Sequence, residues 1–161
     1  MARLTVNTTG TQPTLLVSTD TSNVANAALS VTCLQDVTIT NSTGIFAWTD
    51  FCSIDTNKIT TPADNEISTN IVIDPTGYFG TTPGSSSGNA AVLGISGLSI
   101  NKVPVSFKIV MNGNASTANA YYYTGVGYIS SLAPTVSPEA PVWVSPMTLA
   151  VDGDMTVGKN P

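Results

Sequence analysis

The stretch Val103-Pro104-Val105-Ser106-Phe107-Lys108-Ile109-Val110-Met111 decides the fold class of this 161-residue chain. Every second residue from Val103 to Met111 is apolar, and polar Ser106 and Lys108 lie between them. Successive side chains of a strand point to opposite faces of a sheet, so a period of two predicts a strand with one buried face.

A hairpin follows this strand. Residues 112–119 are polar and rich in turn formers, and Tyr121–Ser130 predicts the returning strand. Gly125 and Gly127 inside that strand indicate a bulge or a close approach of another backbone. Tyr121–Tyr123 with Tyr128 could form a stacking platform for bases or sugars. The favoured interpretation is that alternate tyrosines face the core and the rest are edge or interface residues.

Further short runs of β-branched and aromatic residues, separated by Gly, Pro, Asn and Ser, predict more strands. They are Leu4–Thr8, Thr14–Ser18, Ser30–Thr40, Ile45–Phe51, Ile67–Ile73, Val142–Val151 and Met155–Val157. In Val142–Val151 the residues Trp143, Met147, Leu149 and Val151 share one face, and Pro146 predicts an edge strand or a bulge.

Two stretches favour helices instead. Asn89–Leu98 is the better candidate, although Gly94 weakens it, and Asp20–Leu29 is the other. Asn57–Glu66 and Leu132–Glu139 are interpreted as loops, and Asp152–Asp154 as a turn. With no repeat and no linker, the prediction is a single domain over residues 1–161.

The chain is unusually poor in charge. Only 9% of its residues are charged, against about 25% in ordinary soluble domains. It has 10 acidic residues, 5 basic residues and no histidine, for a net charge of −5. This excludes His-dependent triads and His-ligated metal sites, and it disfavours nucleic acid and anionic membrane as binding partners. No run of 18 apolar residues and no secretory signal occurs, so we expect no membrane span and a cytosolic origin with reduced Cys33 and Cys52.

Two strings have catalytic-looking patterns. Gly84–Gly88 fits a nucleophile elbow and Ser99–Lys102 fits Ser-x-x-Lys, but their partner residues and structural contexts are missing. A flexible linker and a helix end explain them better. The expectation is therefore no catalytic residues, no metal and no cofactor, with a glycosidase-like pair of carboxylates as a distant possibility.

The neutral residues that replace the charges point to self-assembly. Thr, Ser and Asn number 24, 17 and 13, and interface cores are depleted of charged residues. Composition therefore predicts a structural subunit whose surface is covered by copies of itself.

The sequence resembles phage tail tube proteins over most of residues 28–157. Gly127–Pro134, Pro141–Val144 and Met147–Thr156 look like the closing hairpin of that family, and Trp48–Ser53 and the loop to Glu66 resemble its extended loop. The resemblance implies a mainly β fold, an antiparallel β-sandwich or barrel with one flanking α-helix. It also implies stacked hexameric rings in a virion tail assembled in the host cytoplasm, with other tail proteins as partners and double-stranded DNA passing through the lumen.

The resemblance further implies that the loop from Thr49 to Glu66 makes the contact between rings. The residues expected there are Thr49, Asp50, Phe51, Asp55, Lys58, Asp64 and Glu66. The alternative is a fimbrial or receptor-binding β-sandwich module or a capsid decoration protein, which would be monomeric or trimeric.

Overall fold

The structure is a computed structural model that describes residues 13–31, 34–49 and 56–161. The strand expected at Leu4–Thr8 and both cysteines lie outside these residues. Ten strands and two helices are described: β1 Thr14–Ser18, β2 Leu29–Val31, β3 Leu34–Thr40, β4 Gly44–Trp48, β5 Asn57–Thr61, β6 Asn65–Val72, α1 Pro75–Phe79, α2 Ala90–Ile100, β7 Val105–Val110, β8 Tyr121–Leu132, β9 Thr135–Ser137 and β10 Ala140–Lys159.

Eight of the strands form one antiparallel sheet. Its order is β2-β1-β7-β8-β10-β6-β3, and β9 pairs with the start of β10. The central position of β10 joins two halves, because β6 and β3 reach the other strands only through it. The mainly β, antiparallel fold is therefore confirmed.

The chain itself forces this sheet to curl. β2 and β3 lie at the two ends of the strand order, yet Val31 and Leu34 are only three residues apart in the chain and thus within about 11 Å. Seven strands side by side in a flat sheet would place its edges roughly 29 Å apart. The sheet therefore bends into a half-barrel, which brings its two edges together.

The core lies between the inside of this bend and α2. Phe107, Leu149, Leu93 and Leu98 belong to one buried cluster. The alternation predicted for β7 is confirmed, since Val105, Phe107 and Ile109 are fully buried. Val110 and Ser106, on the opposite face, are buried as well, which the period of two does not predict.

The helix predicted at Asn89–Leu98 is α2, the flanking helix. Asn89 caps it by accepting a hydrogen bond from the backbone N–H of Val92 at 3.0 Å. Gly94 interrupts the helical geometry with φ of 66°, and a Cβ at this position would lie 2.2 Å from the backbone nitrogen of Gly80. Glycine at 94 therefore lets the end of α1 touch α2.

The helix predicted at Asp20–Leu29 is wrong, because this segment forms turns. Asp20 accepts hydrogen bonds from the backbone N–H groups of Ser22 and Asn23, and Asn23 accepts one from Ala25. Side chains that bond to the nearby backbone in this way compete with helical hydrogen bonding. The short helix α1 was not predicted, although Asp74-Pro75 supplies its N-cap and its first turn.

Several strand boundaries also differ from the predictions. Ser30–Thr40 is not one strand but parts of β2 and β3, at opposite edges of the sheet. Asp152–Asp154 is not a turn, since β10 continues through it with a register shift against β8 and with Gly153 at φ of 82°. Leu132–Glu139 contains the short strand β9.

Pro146 lies in an interior strand, so the edge predicted for it is wrong. The Pro146 carbonyl accepts a hydrogen bond from the Ala133 N–H at 3.3 Å, just where β8 ends at Leu132. In an antiparallel strand the C=O and N–H of one residue point to the same side. The Pro146 nitrogen therefore points past the end of β8, and its missing N–H removes no hydrogen bond between β8 and β10. A bulge does occur nearby, between Thr148 and Leu149.

Candidate assembly surfaces

A two-stranded hairpin stands apart from the main sheet. β4 and β5 pair only with each other among the described strands, with Phe46 opposite Ile59 and Trp48 opposite Asn57. We call these two strands the arm. Directly opposite residues of an antiparallel pair share a face, so Phe46, Trp48 and Ile59 form what we call the aromatic face of the arm.

The aromatic face is open to solvent. Phe46, Trp48 and Ile59 are 58%, 40% and 55% exposed, and the Phe46 and Trp48 rings stack with their centroids 6.0 Å apart. Large apolar side chains that are grouped and exposed mark a surface that binds another molecule. The arm is therefore the first candidate assembly surface.

The base of the arm is fixed to the sheet through Asn65. The Asn65 side chain is buried; its Oδ1 accepts from the Ser42 N–H at 3.3 Å and its Nδ2 donates to the Gly153 carbonyl at 3.0 Å. The Ser42 hydroxyl also donates to the Asp64 carbonyl at 2.5 Å. These bonds link both ends of the arm to β6 and β10, so its root has a defined position.

The residues expected to contact the next ring fall in different places. Thr49 directly follows β4, Lys58 lies in β5, and Asp64 lies at the base of the arm, all of them exposed. Glu66 lies on β6 in the main sheet. Asp50, Phe51 and Asp55 lie outside the described residues. The loop interpretation of Asn57–Glu66 is wrong at both ends, because residues 57–61 are β5 and β6 begins at Asn65.

The second candidate surface is the sheet face opposite the core, which we call the open sheet face. Glu66 stands between Thr40 and Ala150 in the strand register, Asp36 is opposite Asn70, and Asp152 is opposite Val126. The three carboxylates are exposed. Their neighbours on this face are mostly neutral and polar: Thr38, Thr40, Ser68, Asn70, Ser130 and Thr148.

Two of these carboxylates are held by hydrogen bonds within the sheet. Asp36 accepts from the backbone N–H and the side-chain Nδ2 of Asn70 at 2.8 and 2.7 Å. Glu66 accepts from the Ser68 hydroxyl at 2.8 Å. Both acids therefore have defined positions on the open sheet face.

Lys108, a basic residue on this side of the sheet, already has partners within the chain. Lys108 is half-buried; its ammonium donates to Asn160 Oδ1 at 2.8 Å and lies 4.0 Å from the centre of the Tyr122 ring. Burial lowers the pKa of Lys108 below its ordinary value. Asp36, Glu66 and Asp152 outnumber this one ammonium group, so negative charge dominates the described part of the open sheet face.

Within the tyrosine run, Tyr123 shares the core face, because it lies opposite the fully buried Ile109. Tyr121 is exposed, Tyr122 and Tyr123 are half-buried, and Tyr128 is exposed on the open sheet face. Tyr121 and Tyr122 instead lie under the ammonium groups of Lys159 and Lys108, at 5.8 and 4.0 Å from the ring centres. The small residues between them serve close packing, since a Cβ at Gly127 would lie 2.2 Å from the Ala150 carbonyl oxygen.

Solved structures share this arrangement of strands and helices. The SPP1 tail tube, solved by solid-state NMR and cryo-EM, aligns with a TM-score of 0.60 at 14% identity, over 97% of this chain and 80% of that one. The sheath/tube terminator of PVC, an extracellular contractile injection system in its extended state, aligns with a TM-score of 0.60 at 13% identity, over 98% and 99% of the two chains.

A chain of the native gene transfer agent virion gives a TM-score of 0.57 at 12% identity, over 89% of this chain and 95% of that one. The chain has a tail-tube-like fold. No protein-family model and no curated protein matches the sequence. At these identities the likeness concerns the fold. No helix within the described residues is long and apolar enough to cross a membrane.

The sequence predicted β4, one strand of the arm, but not the exposed aromatic face that β4 and β5 form together. The signal was present in Ile45-Phe46-Ala47-Trp48, where apolar residues occupy both faces of a short strand. Such a run is typical of a strand buried on both sides, and none of the described residues covers either side of the arm. The grouping of the three acids on the open sheet face was not predicted either, because only the register of the sheet shows that Asp36 and Asp152 lie on one face.

Proposed function

We propose that this chain is the structural subunit of a phage tail tube, which self-assembles into hexameric rings that stack into a hollow tube. The observation that carries the proposal is the tail-tube-like fold combined with an exposed sheet face that bears three carboxylates and otherwise mostly neutral polar groups. The subunit belongs to the virion tail, is assembled in the host cytoplasm, and meets other tail proteins at the ends of the tube.

The open sheet face lines the channel in this proposal. Six copies at −5 each carry −30 per ring, and the exposed Asp36, Glu66 and Asp152 place part of that charge at the lumen. Repulsion from phosphate acts over about 8 Å at physiological salt, and Thr and Ser hydroxyls offer only weak contacts. Double-stranded DNA would pass without being held.

The arm makes the contact between rings. The support for this role is its exposed aromatic face and its fixed root at Asn65. Lys58 lies on the arm itself, Thr49 directly follows β4 and Asp64 lies at the base of the arm, so these residues are close to that contact. Shortening the loop between β4 and β5 should then leave single rings that do not stack.

Negative-stain electron microscopy of the purified protein tests the proposal. Hollow tubes or six-fold rings are expected. A dilute monomer that never polymerises would contradict the proposal, and trimers would favour a capsid decoration protein. Tubes that still form after the loop between β4 and β5 is shortened would contradict the role of the arm but not that of the subunit.

A further inference from the structure

A second apolar surface on the same molecule is concave. The helices and the beginning of β10 enclose an open groove with a cavity volume of about 810 Å³. We call it the helix groove. It is lined by Ile73, Phe79, Ile100, Val142 and Trp143, together with Tyr78, Ser96, Gly84 and three prolines. Ile100 is 78% exposed and Trp143 is 52% exposed, whereas Met147 and Leu149, predicted to share one face with Trp143, are buried.

The helix groove and the arm together hold most of the large apolar side chains that the described structure exposes. Eight of the twelve lie in one or the other: Ile45, Phe46, Trp48 and Ile59 on the arm, and Phe79, Ile100, Val142 and Trp143 in the groove. One surface is a narrow ridge of stacked rings and the other is a hollow. Within one copy they leave each other exposed.

Charge fits the same pairing. Among the described residues, the helix groove is lined by no carboxylate and no ammonium group, and the neighbour of Trp48 on the aromatic face is the neutral Asn57. Lys58 pairs with Ala47 and so points to the other face of the arm. Contact between the two surfaces would therefore bury no unpaired charge. Burying an unpaired charge costs free energy and usually opposes the joining of charged surfaces.

We infer that the helix groove receives the aromatic face of the arm from a second copy of this chain. The inference rests on the proposed self-assembly and names the surface that the arm contacts. Two different patches meet in such a contact, so every copy keeps one free arm and one free groove. Contacts of this heterologous kind propagate through rings and open stacks rather than closing a two-fold dimer.

The expected strength of one contact suits reversible assembly. Two aromatic side chains bury roughly 150–250 Å² each, whereas a stable two-protein interface buries about 800 Å² on each partner. One arm in one groove is therefore weak. Two stacked rings would make six such contacts. Once one has formed, it keeps the neighbouring arm and groove close together, so the next contact forms at a high effective concentration.

Cross-linking of mixed single-cysteine proteins tests the inference. In a background with Cys33→Ser and Cys52→Ser, one protein carries Asn57→Cys on the aromatic face and the other carries Ser96→Cys in the helix groove. Each chain holds one thiol, so a disulfide-linked pair of the two proteins can arise only between copies. We expect this pair under mild oxidation, at least tenfold above the yield when Val157→Cys replaces Ser96→Cys.

A groove variant supplies a second readout. Ile100→Ser with Trp143→Ser should abolish stacking while the urea midpoint of the monomer stays near that of the parent, because both side chains are exposed. Val157→Ser, which removes a side chain that is 60% exposed outside both surfaces, should stack normally. Normal stacking of the groove variant, or equal cross-linking of Ser96→Cys and Val157→Cys, would overturn the inference. If the parent protein forms no tubes but the specific cross-link appears, the tube proposal fails and the contact between arm and groove stands.

Discussion

Asp20 shows how single side chains set the local backbone in a chain with few charges. Its carboxylate accepts hydrogen bonds from Asn26 Nδ2 at 2.8 Å, from the Ser22 hydroxyl at 2.7 Å and from two backbone N–H groups. The bond from Asn26 and those from Ser22 are the main reasons that the pKa of Asp20 falls to about 2. The Ser106 hydroxyl then ties the turn to β7 by donating to the Asp20 carbonyl at 2.7 Å.

The lowered pKa gives a prediction about pH. A carboxyl group whose pKa is lower in the folded state stabilises the fold above its ordinary pKa of 3.8, and that contribution is lost as the pH falls toward 2. Asp20→Asn should therefore be less stable than the parent at pH 5, and the two should converge near pH 2. Urea unfolding across this range measures the difference. Asp64→Asn, an exposed carboxylate outside the turn, is the control, and a constant gap between Asp20→Asn and the parent would contradict the explanation.

The sequence pattern predicted which side chains are buried where one face of a strand is uniformly apolar. Val105, Phe107 and Ile109 were assigned correctly because three apolar residues at a period of two leave a single choice of face. The pattern did not place Tyr122 and Trp143, because aromatic residues suit a core, an ammonium partner and an interface equally well. Which of these applies depends on the strand beside them, and local sequence does not contain that information.

At the scale of elements, local signals succeeded where a segment satisfies its own backbone. The spacing of Ala90, Leu93 and Leu98 predicted α2, because one apolar stripe within a helix depends only on nearby residues. The arm was not predicted, because Asn57–Thr61 is polar and becomes a strand only by pairing with β4. Likewise, residues 30–40 were predicted as one strand, because no local signal shows that β2 and β3 belong to opposite edges of the sheet.

The end of β10 holds a neighbouring loop through one side chain. Asn160 is buried; its Nδ2 donates to the carbonyls of Ala115 and Thr117 at 3.2 and 3.0 Å, and its Oδ1 accepts from Lys108. The loop between β7 and β8 is therefore connected to both its own strand and the C-terminal strand.

Asn160→Ala should destabilise the fold by about 2–4 kcal/mol, because three hydrogen bonds are lost and a half-buried ammonium loses its partner. Urea unfolding measures the change, and hydrogen exchange should show faster opening of residues 112–120. Pro161→Ala, at the exposed neighbouring position, should have no effect. Equal stability of the two variants would show that Asn160 does not hold the loop.

At the scale of the whole molecule, composition predicted a surface suited to self-assembly but not where its charges lie. The shortage of charge indicated assembly, and the structure places three of the ten acids on one open sheet face. Sheet register decides that grouping, since Asp36, Glu66 and Asp152 come from three strands that are far apart in sequence. The fold class was readable from periodicity, whereas the face that carries the charge was not.

Neutralising that face should change how tubes treat DNA. Asp36→Asn, Glu66→Gln and Asp152→Asn together take each copy from −5 to −2 and keep the shapes of the side chains. The variant should still form tubes, and these should retain double-stranded DNA fragments at low salt severalfold more than parent tubes, with the difference lost at high salt. A pull-down of labelled fragments measures retention. Asp64→Asn with Glu139→Gln, which lie off this face, is the control, and equal retention by all three proteins would contradict the proposed lumen.

The position of β10 has a consequence for how the subunit is made. β10 is synthesised after all the other described strands, yet it is the strand that joins β8 to β6. Until it emerges from the ribosome, the nascent chain holds two separate groups of strands with unpaired edges at β8 and β6. The half-barrel, and with it the open sheet face, therefore forms only once residues 140–159 have left the ribosome. Until then the nascent chain offers its neighbours no finished open sheet face, so any assembly through that face waits for β10.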